Sequence, residues 1–233
     1  MNRWIIFAFL GLGFSANAQK FGKNIPSFEY RKWHFGSMLG TNTTSYNAVM
    51  KPSVNDFDSI YHIQLNARPG LSIQIPVISY NPFATCHIRL VPSISFHETN
   101  FVYRYMKGGI SRSKTYRTEP VNINAPLLFK LSAKRMNNFA PFALGGFGYS
   151  YNVSSQADVD QNLSDPVIKL RRSDFHYQIG GGFDFYLPYF KFGFELKTSR
   201  GINNLLIQDN TFFSAPLESL KSRVWWFSIT FEG

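Results

Sequence analysis

The feature that most constrains this chain is the alternation of apolar and polar residues over strand-length stretches. Ile63, Leu65, Ala67, Leu71, Ile73 and Ile75 alternate with Gln64, Asn66, Arg68, Gly70, Ser72 and Gln74. A period of two places such sets on opposite faces of a β-strand. The same sorting separates Cys86, Ile88, Leu90, Ile94 and Phe96 from His87, Arg89, Ser93, Ser95 and His97. It returns in Val121, Ile123, Ala125, Leu127 and Phe129 against Asn122, Asn124 and Lys130. It is sharpest in Phe175, Tyr177, Ile179, Phe183 and Phe185 against Asp174, His176, Gln178, Gly180, Gly182 and Asp184. In a soluble sandwich the apolar set would form the interior. Here the polar set mixes glycines, amides and charges that suit a narrow lumen, so the apolar set is expected to face lipid. The pattern predicts an all-β fold, an antiparallel transmembrane β-barrel.

The N-terminus points to the same compartment. Asn2 and Arg3 precede an apolar run from Trp4 to Phe14, followed by Ser15-Ala16-Asn17-Ala18. This is the pattern of a cleaved signal peptide over residues 1–18. The run is shorter than the ~20 residues a membrane-spanning helix needs. Residues 19–31 are polar and basic and read as a short periplasmic lead, and residues 32–233 as one barrel domain. No later stretch is long and apolar enough for a spanning helix. Entry into a membrane must then be as a closed sheet, because backbone polar groups in lipid need partners. Cys86 is the only cysteine, which excludes an intramolecular disulfide.

The formal charge is +10. Export argues against a nucleic-acid partner. Lys107, Arg112, Lys114, Arg117, Lys169, Arg171, Arg172, Arg200, Lys221 and Arg223 fall in or beside segments expected outside the cell. Outer-membrane lipid and the phosphates of lipopolysaccharide are the partners such cations suit. Plain solvated loop charge accounts for them equally well.

Eight strands are expected, at 32–41, 61–75, 85–105, 117–131, 141–153, 173–187, 190–200 and 222–232. Connections around 42–60, 107–116, 154–172 and 201–221 are mostly long; those at 76–84, 132–140 and 188–189 are shorter. That asymmetry puts both termini in the periplasm. Aromatics such as Trp33, Phe35, Phe190, Trp225 and Phe231 gather at strand ends, as interfacial girdles do. Pro69, Pro92, Pro126 and Pro141 sit awkwardly inside expected strands, and Gly145, Gly146 and Gly148 leave the phase of 141–153 open.

Eight strands enclose a space just wide enough for side chains. The expected lumen holds Arg68, Arg89, Lys130, Lys191 and Lys197 against Asp174, Asp184 and Glu195. Buried charges must pair: Asp184 is expected near Arg89, Lys130 or Lys191, and Glu195 near Arg68. His62, His97 and His176 with Ser95, Ser173 and Asp174 supply the atom types of hydrolysis, but no spacing marks a triad. Histidines are scattered without metal-ligand spacing. Gly180-Gly181-Gly182 lies mid-strand and opens no helix, so it makes no cofactor loop. Neither enzyme activity, a cofactor nor a metal is expected.

The most individual text runs from Lys169-Leu170-Arg171-Arg172-Ser173-Asp174-Phe175 through Tyr177–Phe192 to Glu195-Leu196-Lys197. It continues in Gly201-Ile202-Asn203-Asn204-Leu205-Leu206 and closes on Leu217-Glu218-Ser219-Leu220-Lys221-Ser222-Arg223. With Lys32-Trp33-His34-Phe35-Gly36 and Lys134-Arg135-Met136-Asn137-Asn138-Phe139-Ala140-Pro141-Phe142, it resembles the PorT (SprT) family, outer-membrane barrels of the type IX secretion system. The run from Leu170 to Phe192 is the most specific. The resemblance implies a part in exporting folded cargo such as adhesins, proteases and gliding-motility proteins, with other type IX secretion components as partners. It offers no catalytic residues. A filled small barrel is no conduit, so an accessory role is expected. Candidate partner contacts are Arg171, Arg172 and Asp174, and Glu218, Lys221 and Arg223; loops that merely clamp onto strands are the competing reading. A stand-alone barrel with ligand-binding or adhesive loops, and a lipid A-modifying enzyme, are the alternatives.

Overall fold

The computed structural model describes residues 22–51, 60–107, 110–154, 169–208 and 214–233. The expected signal peptide, 1–18, and the first residues of the expected lead, 19–21, lie outside the described residues. A short 3-10 helix, Phe28–Tyr30, precedes eleven strands. They are β1 (Trp33–Met50), β2 (Ile60–Phe83), β3 (Cys86–Leu90), β4 (Ser93–Phe96), β5 (Glu98–Lys107), β6 (Ile110–Thr118), β7 (Val121–Ser132), β8 (Phe139–Asn152), β9 (Ser173–Tyr186), β10 (Lys191–Gly201) and β11 (Leu217–Glu232).

Every ladder is antiparallel, and the ladders close. β1 pairs with both β2 and β11, and the path returns through β10, β9, β8 and β7 to β3 and β4, which both pair with β2. A closed sheet leaves no edge among its ring members, which is the condition for backbone in lipid. The ring has eight positions, because β3 and β4 share one. The expected strand at 85–105 is broken into three, β3, β4 and β5, by Val91-Pro92 and by His97. Pro92 has no N–H to give a ladder and falls in the gap. The expected loop at 107–116 is largely strand: β6 pairs with β5, and β5 with the first part of β2, so a hairpin extends the wall at the loop end. β1 likewise runs to Met50 and β11 begins at Leu217, well past the expected limits of 41 and 222.

Most of the ring follows the expected phase. Leu71, Phe129 and Ile179 are 55%, 49% and 56% exposed on the outer wall, whereas Arg89, Lys130 and Glu195 are 1%, 2% and 1% exposed inside. The oily set points away from the axis. β8 resolves the open phase: Phe142 and Leu144 face inward, and Ala143, Phe147 and Tyr149 outward.

β2 departs from it. Ser72 pairs with Ser95, but Arg68 pairs with Glu98. β2 thus spends four residues where its partner spends three, and one extra residue flips every side chain beyond it. Pro69 and Gly70 occupy this slip. Ile63 and Leu65, expected on the lipid face, therefore pack inward against a cluster of Tyr46, Phe101, Tyr103, Leu170, Leu205, Leu206, Leu217 and Leu220. Arg68, expected in the lumen, is turned outward with its side chain 60% exposed, 3.2 Å from Glu98.

Inward glycines act as sockets for large lumenal side chains. A Cβ on Gly182 would run into the Phe194 carbonyl and lie 2.7 Å from the Phe142 ring. Outward Gly145 has only ordinary contacts, with 3.6 Å as the nearest. Gly182→Val is expected to destabilise the barrel by about 1–3 kcal/mol or to abolish folding, while Gly145→Val folds normally. The heat-modifiable gel shift of the refolded variants in detergent checks this, and equal behaviour of the two would contradict the socket.

Candidate functional site: the closed lumen

The end of the barrel that carries both chain termini is expected to be periplasmic. In that half, side chains from β3, β7, β9, β10 and β11 converge on the axis. They form one continuous chain of alternating sign. Lys130 Nζ lies 2.8 Å from Asp184 Oδ2, and Asp184 lies 3.6 Å from Lys191 Nζ. Lys191 reaches Glu232 at 2.5 Å, and Glu232 is 3.1 Å from Arg89. Arg89 then donates to Glu195 at 2.9 Å, and Lys197 lies 2.8 Å from the other Glu195 oxygen. All seven side chains are at most 5% exposed. The two ends of the chain are tied off as well. Lys130 sits 3.6 Å from the centre of the Phe142 ring, a cation–π contact. Lys197 donates to Gln74, whose amide donates to Ser228.

Of the residues expected to form a lumenal network, the structure brings Arg89, Lys130, Asp184, Lys191 and Glu195 together and leaves Arg68 out. Glu195, expected near Arg68, pairs with Arg89 and Lys197 instead. The slip in β2 removed Arg68 from the lumen. Glu232 was missed, although Trp226, Ser228, Thr230 and Glu232 continue one period-2 set into the interior. Its place as the last strand residue, beside the aromatic Phe231, hid that signal.

Below the charges the mouth is stoppered. Residues 22–31 of the expected lead pack against it. Phe28 is 2% exposed, stacks on His34 at 3.8 Å, and clusters with Ala140 and Tyr186. The stopper is latched by the turn between β7 and β8. Arg135 donates to the Asn24 and Asn137 carbonyls and to Asn138 Oδ1, and its guanidinium lies 3.8 Å over the Tyr186 ring. Asn24 donates in return to Asn138 Oδ1 and to the Tyr186 carbonyl, both at 2.9 Å.

Above this chain lies a layer rich in amides and hydroxyls, with His176 and Asp174 among them, around a cavity of about 50 Å³. Asn124 donates to Ser93 and Ser95, and Ser150 donates to Asn124. His176 meets Ser150 at 3.3 Å and Gln178 at 2.8 Å. Asp174 accepts from Ser222 at 2.5 Å. Apart from the His176–Gln178 contact within β9, these bonds run between strands, and they make no serine–histidine–carboxylate relay among the described residues. No group of three or more His, Cys, Asp or Glu side chains suited to a metal occurs among them either.

The loop end is capped by the apolar cluster around Tyr46, Phe101 and Leu220. The chain around Leu170 and Leu205 is stitched across it, with the Arg171 N–H donating to the Leu205 carbonyl and the Leu205 N–H to the Leu220 carbonyl. The expected contact residues divide here. Arg171 and Arg172 are exposed beside this cap. Asp174 is buried in the lumen and is no surface contact. Glu218, Lys221 and Arg223 are exposed, but they belong to β11 rather than to a loop.

A family model described as the outer membrane protein beta-barrel domain matches residues 17–206. The chain belongs to that family. As a member, it is an outer-membrane β-barrel protein. Among solved structures it is similar to the outer membrane protein OprG from Pseudomonas aeruginosa. Identity is 11%, coverage 92% of this chain and 98% of that one, and the TM-score 0.49. It is also similar to the N-terminal β-barrel domain of Pseudomonas aeruginosa OprF, at 11% identity, 85% and 99% coverage, and a TM-score of 0.35. No match is found among curated proteins.

Two outcomes follow from the lumen. Asp184→Ala strands Lys130 and half-strips Lys191 in a buried interior, at a cost of about 3–5 kcal/mol. Glu98→Ala at the exposed Arg68 and Arg117 pairs costs about 1 kcal/mol or less. Thermal unfolding in detergent, read by the heat-modifiable band, should drop sharply for the first and little for the second. Arg135→Ala removes the latch, so limited proteolysis should cut within residues 22–31 several-fold faster while the barrel stays intact.

Proposed function

We propose that this protein is an accessory barrel of the type IX secretion machinery, needed for export of cargo proteins but not their conduit. A cleaved signal peptide would deliver it to the outer membrane, and its partners would be other components of that machinery. The resemblance to the PorT (SprT) family supports the reading. The observation that carries the accessory role is the closure of the lumen at three levels: the Phe28 stopper, the seven-charge chain, and the apolar cap. An interior filled by its own side chains passes neither folded protein nor sugar. What remains for recognition is the outside: exposed turns, the loop end with Arg171 and Arg172, and the oily wall. No catalytic step, cofactor or nucleic acid belongs to this reading.

A second reading, a stand-alone barrel with adhesive or ligand-binding loops, draws on the β5–β6 hairpin that extends the wall beyond the ring. Deletion in the native cell separates the two. The secretion role expects many unrelated cargo proteins to be retained together, and a tagged barrel to co-purify with a large outer-membrane complex. Normal secretion with altered attachment supports the adhesive barrel, and a mass change in lipid A would point to an enzyme. The purified barrel is also expected to be electrically silent in planar bilayers. Steady open-channel conductance would contradict the closed lumen.

A further inference from the structure

On the outer wall near the loop end, three cations face away from the lumen within one small area. Arg200 on β10 and Arg223 on β11 are direct cross-strand partners. Lys221 stands two residues further along β11, and all three are exposed. Cross-strand partners have Cβ atoms about 5 Å apart, and like charges placed opposite each other are destabilising. Among the described residues, none of the three cations forms an ion pair. The sheet therefore holds three cations close together on its outer face, with the lumenal Asp174 acting on Lys221 from the other side of the wall.

The place of this charge is informative. Trp225, Phe227, Ile229 and Phe231 continue the outward set of β11 below Arg223, and the Arg223 guanidinium lies 5.7 Å from the Trp225 ring. Two residues of strand rise about 7 Å. On β11 the cations thus begin where the oily run ends, with Tyr177, Phe175 and Ile202 on the wall beside them, the mixture of aromatics and charge expected near lipid headgroups. They also line a recess of about 520 Å³ on the wall, completed by Tyr177 from β9 and by Ser45 and Asn47 from β1. A concave, wall-facing site with three cations and neutral donors suits a phosphate monoester presented from the membrane plane.

We infer that Arg200, Lys221 and Arg223 form a binding site for the phosphate of an outer-leaflet glycolipid of the lipid A type. The site stands on charge, register and depth, and it is independent of the secretion role. Its test is thermal unfolding of the full mature barrel in detergent, with added diphosphoryl lipid A, dephosphorylated lipid A, or inorganic phosphate. Diphosphoryl lipid A is expected to raise the unfolding temperature by about 5 °C or more at saturating concentration. The R200Q/K221Q/R223Q variant should lose that rise while unfolding without lipid at or above the wild-type temperature, since like-charge repulsion is removed. If the triple variant does not refold, R223Q alone should show a reduced rise, and native mass spectrometry should find fewer lipid A molecules retained on it. An undiminished rise in the variant overturns the site. So does an equal rise with dephosphorylated lipid A, which would make binding apolar only. A full rise with inorganic phosphate alone would make the site one for free anions and would also overturn the lipid assignment.

Discussion

The alternating chain from Lys130 to Lys197 is the interaction on which the interior depends. A closed sheet in lipid satisfies its backbone but reverses the usual burial of side chains, so polar groups must share a narrow cylinder and pair with one another. Seven ionised groups in that space are tolerable only because each carboxylate touches two cations and each inner cation touches two carboxylates. The terminal cations, each with one carboxylate, find an aromatic ring or an amide instead. Around them the narrow section is fitted by glycine sockets. Asp184 lies against Gly193 much as the Phe142 ring lies against Gly182.

How legible this was depends on how far a strand keeps its period. In β9 and β10 the alternation runs unbroken, so Asp184, Lys191 and Glu195 were placed on the inner face from sequence. Lys130 and Arg89 followed for the same reason in β7 and β3. β2 failed because one inserted residue near Pro69 inverts the strand, and a period-2 reading carried through it assigns the wrong face to Arg68, Ile63 and Leu65. Pairings were harder than faces. Strands in a barrel are tilted and staggered, so equal distance from a turn does not mean equal depth, and Glu195 meets Arg89 rather than Arg68. The stopper was illegible for another reason: residues 22–31 are polar overall, and one phenylalanine, Phe28, with a partner turn 111–114 residues beyond Asn24 carries the fit. The motif around Arg135-Met136-Asn137-Asn138 was visible as text, but nothing local shows that it grips Asn24.

The interior is layered in a way that separates tasks along the axis. An aromatic stopper and its Arg135 latch close one mouth, charges and a neighbouring apolar patch of Met38, Val77, Val91 and Leu128 fill the half that carries the chain ends, and amides, hydroxyls and Asp174 fill the next layer. The apolar cap then closes the loop end. Each layer has its own chemistry, and among the described residues none leaves a path. A protein so closed offers partners only its surfaces, which differ sharply: turns and a latched stopper at one end, an extended hairpin and exposed arginines at the other, and an oily wall between.

The charges also decide which way the sheet faces. Buried ion pairs are weak evidence for stability as such, since well-packed apolar residues often replace them without loss. Register is a different matter. A one-residue slip in any ring strand would carry its inner side chains to the lipid face. Each Arg or Lys so exposed near the midplane costs about 2–4 kcal/mol, and its abandoned carboxylate partner would stay buried and unpaired. β10 alone would carry Lys191, Glu195 and Lys197 outward in such a slip, and would strand Arg89, Asp184 and Glu232 behind. An apolar interior would impose no such cost, because oily residues are tolerated on either side of the wall. The seven-charge chain therefore specifies the one arrangement in which water-loving groups line the axis, and the slip at Pro69 is compatible with it because it falls above the charged layer.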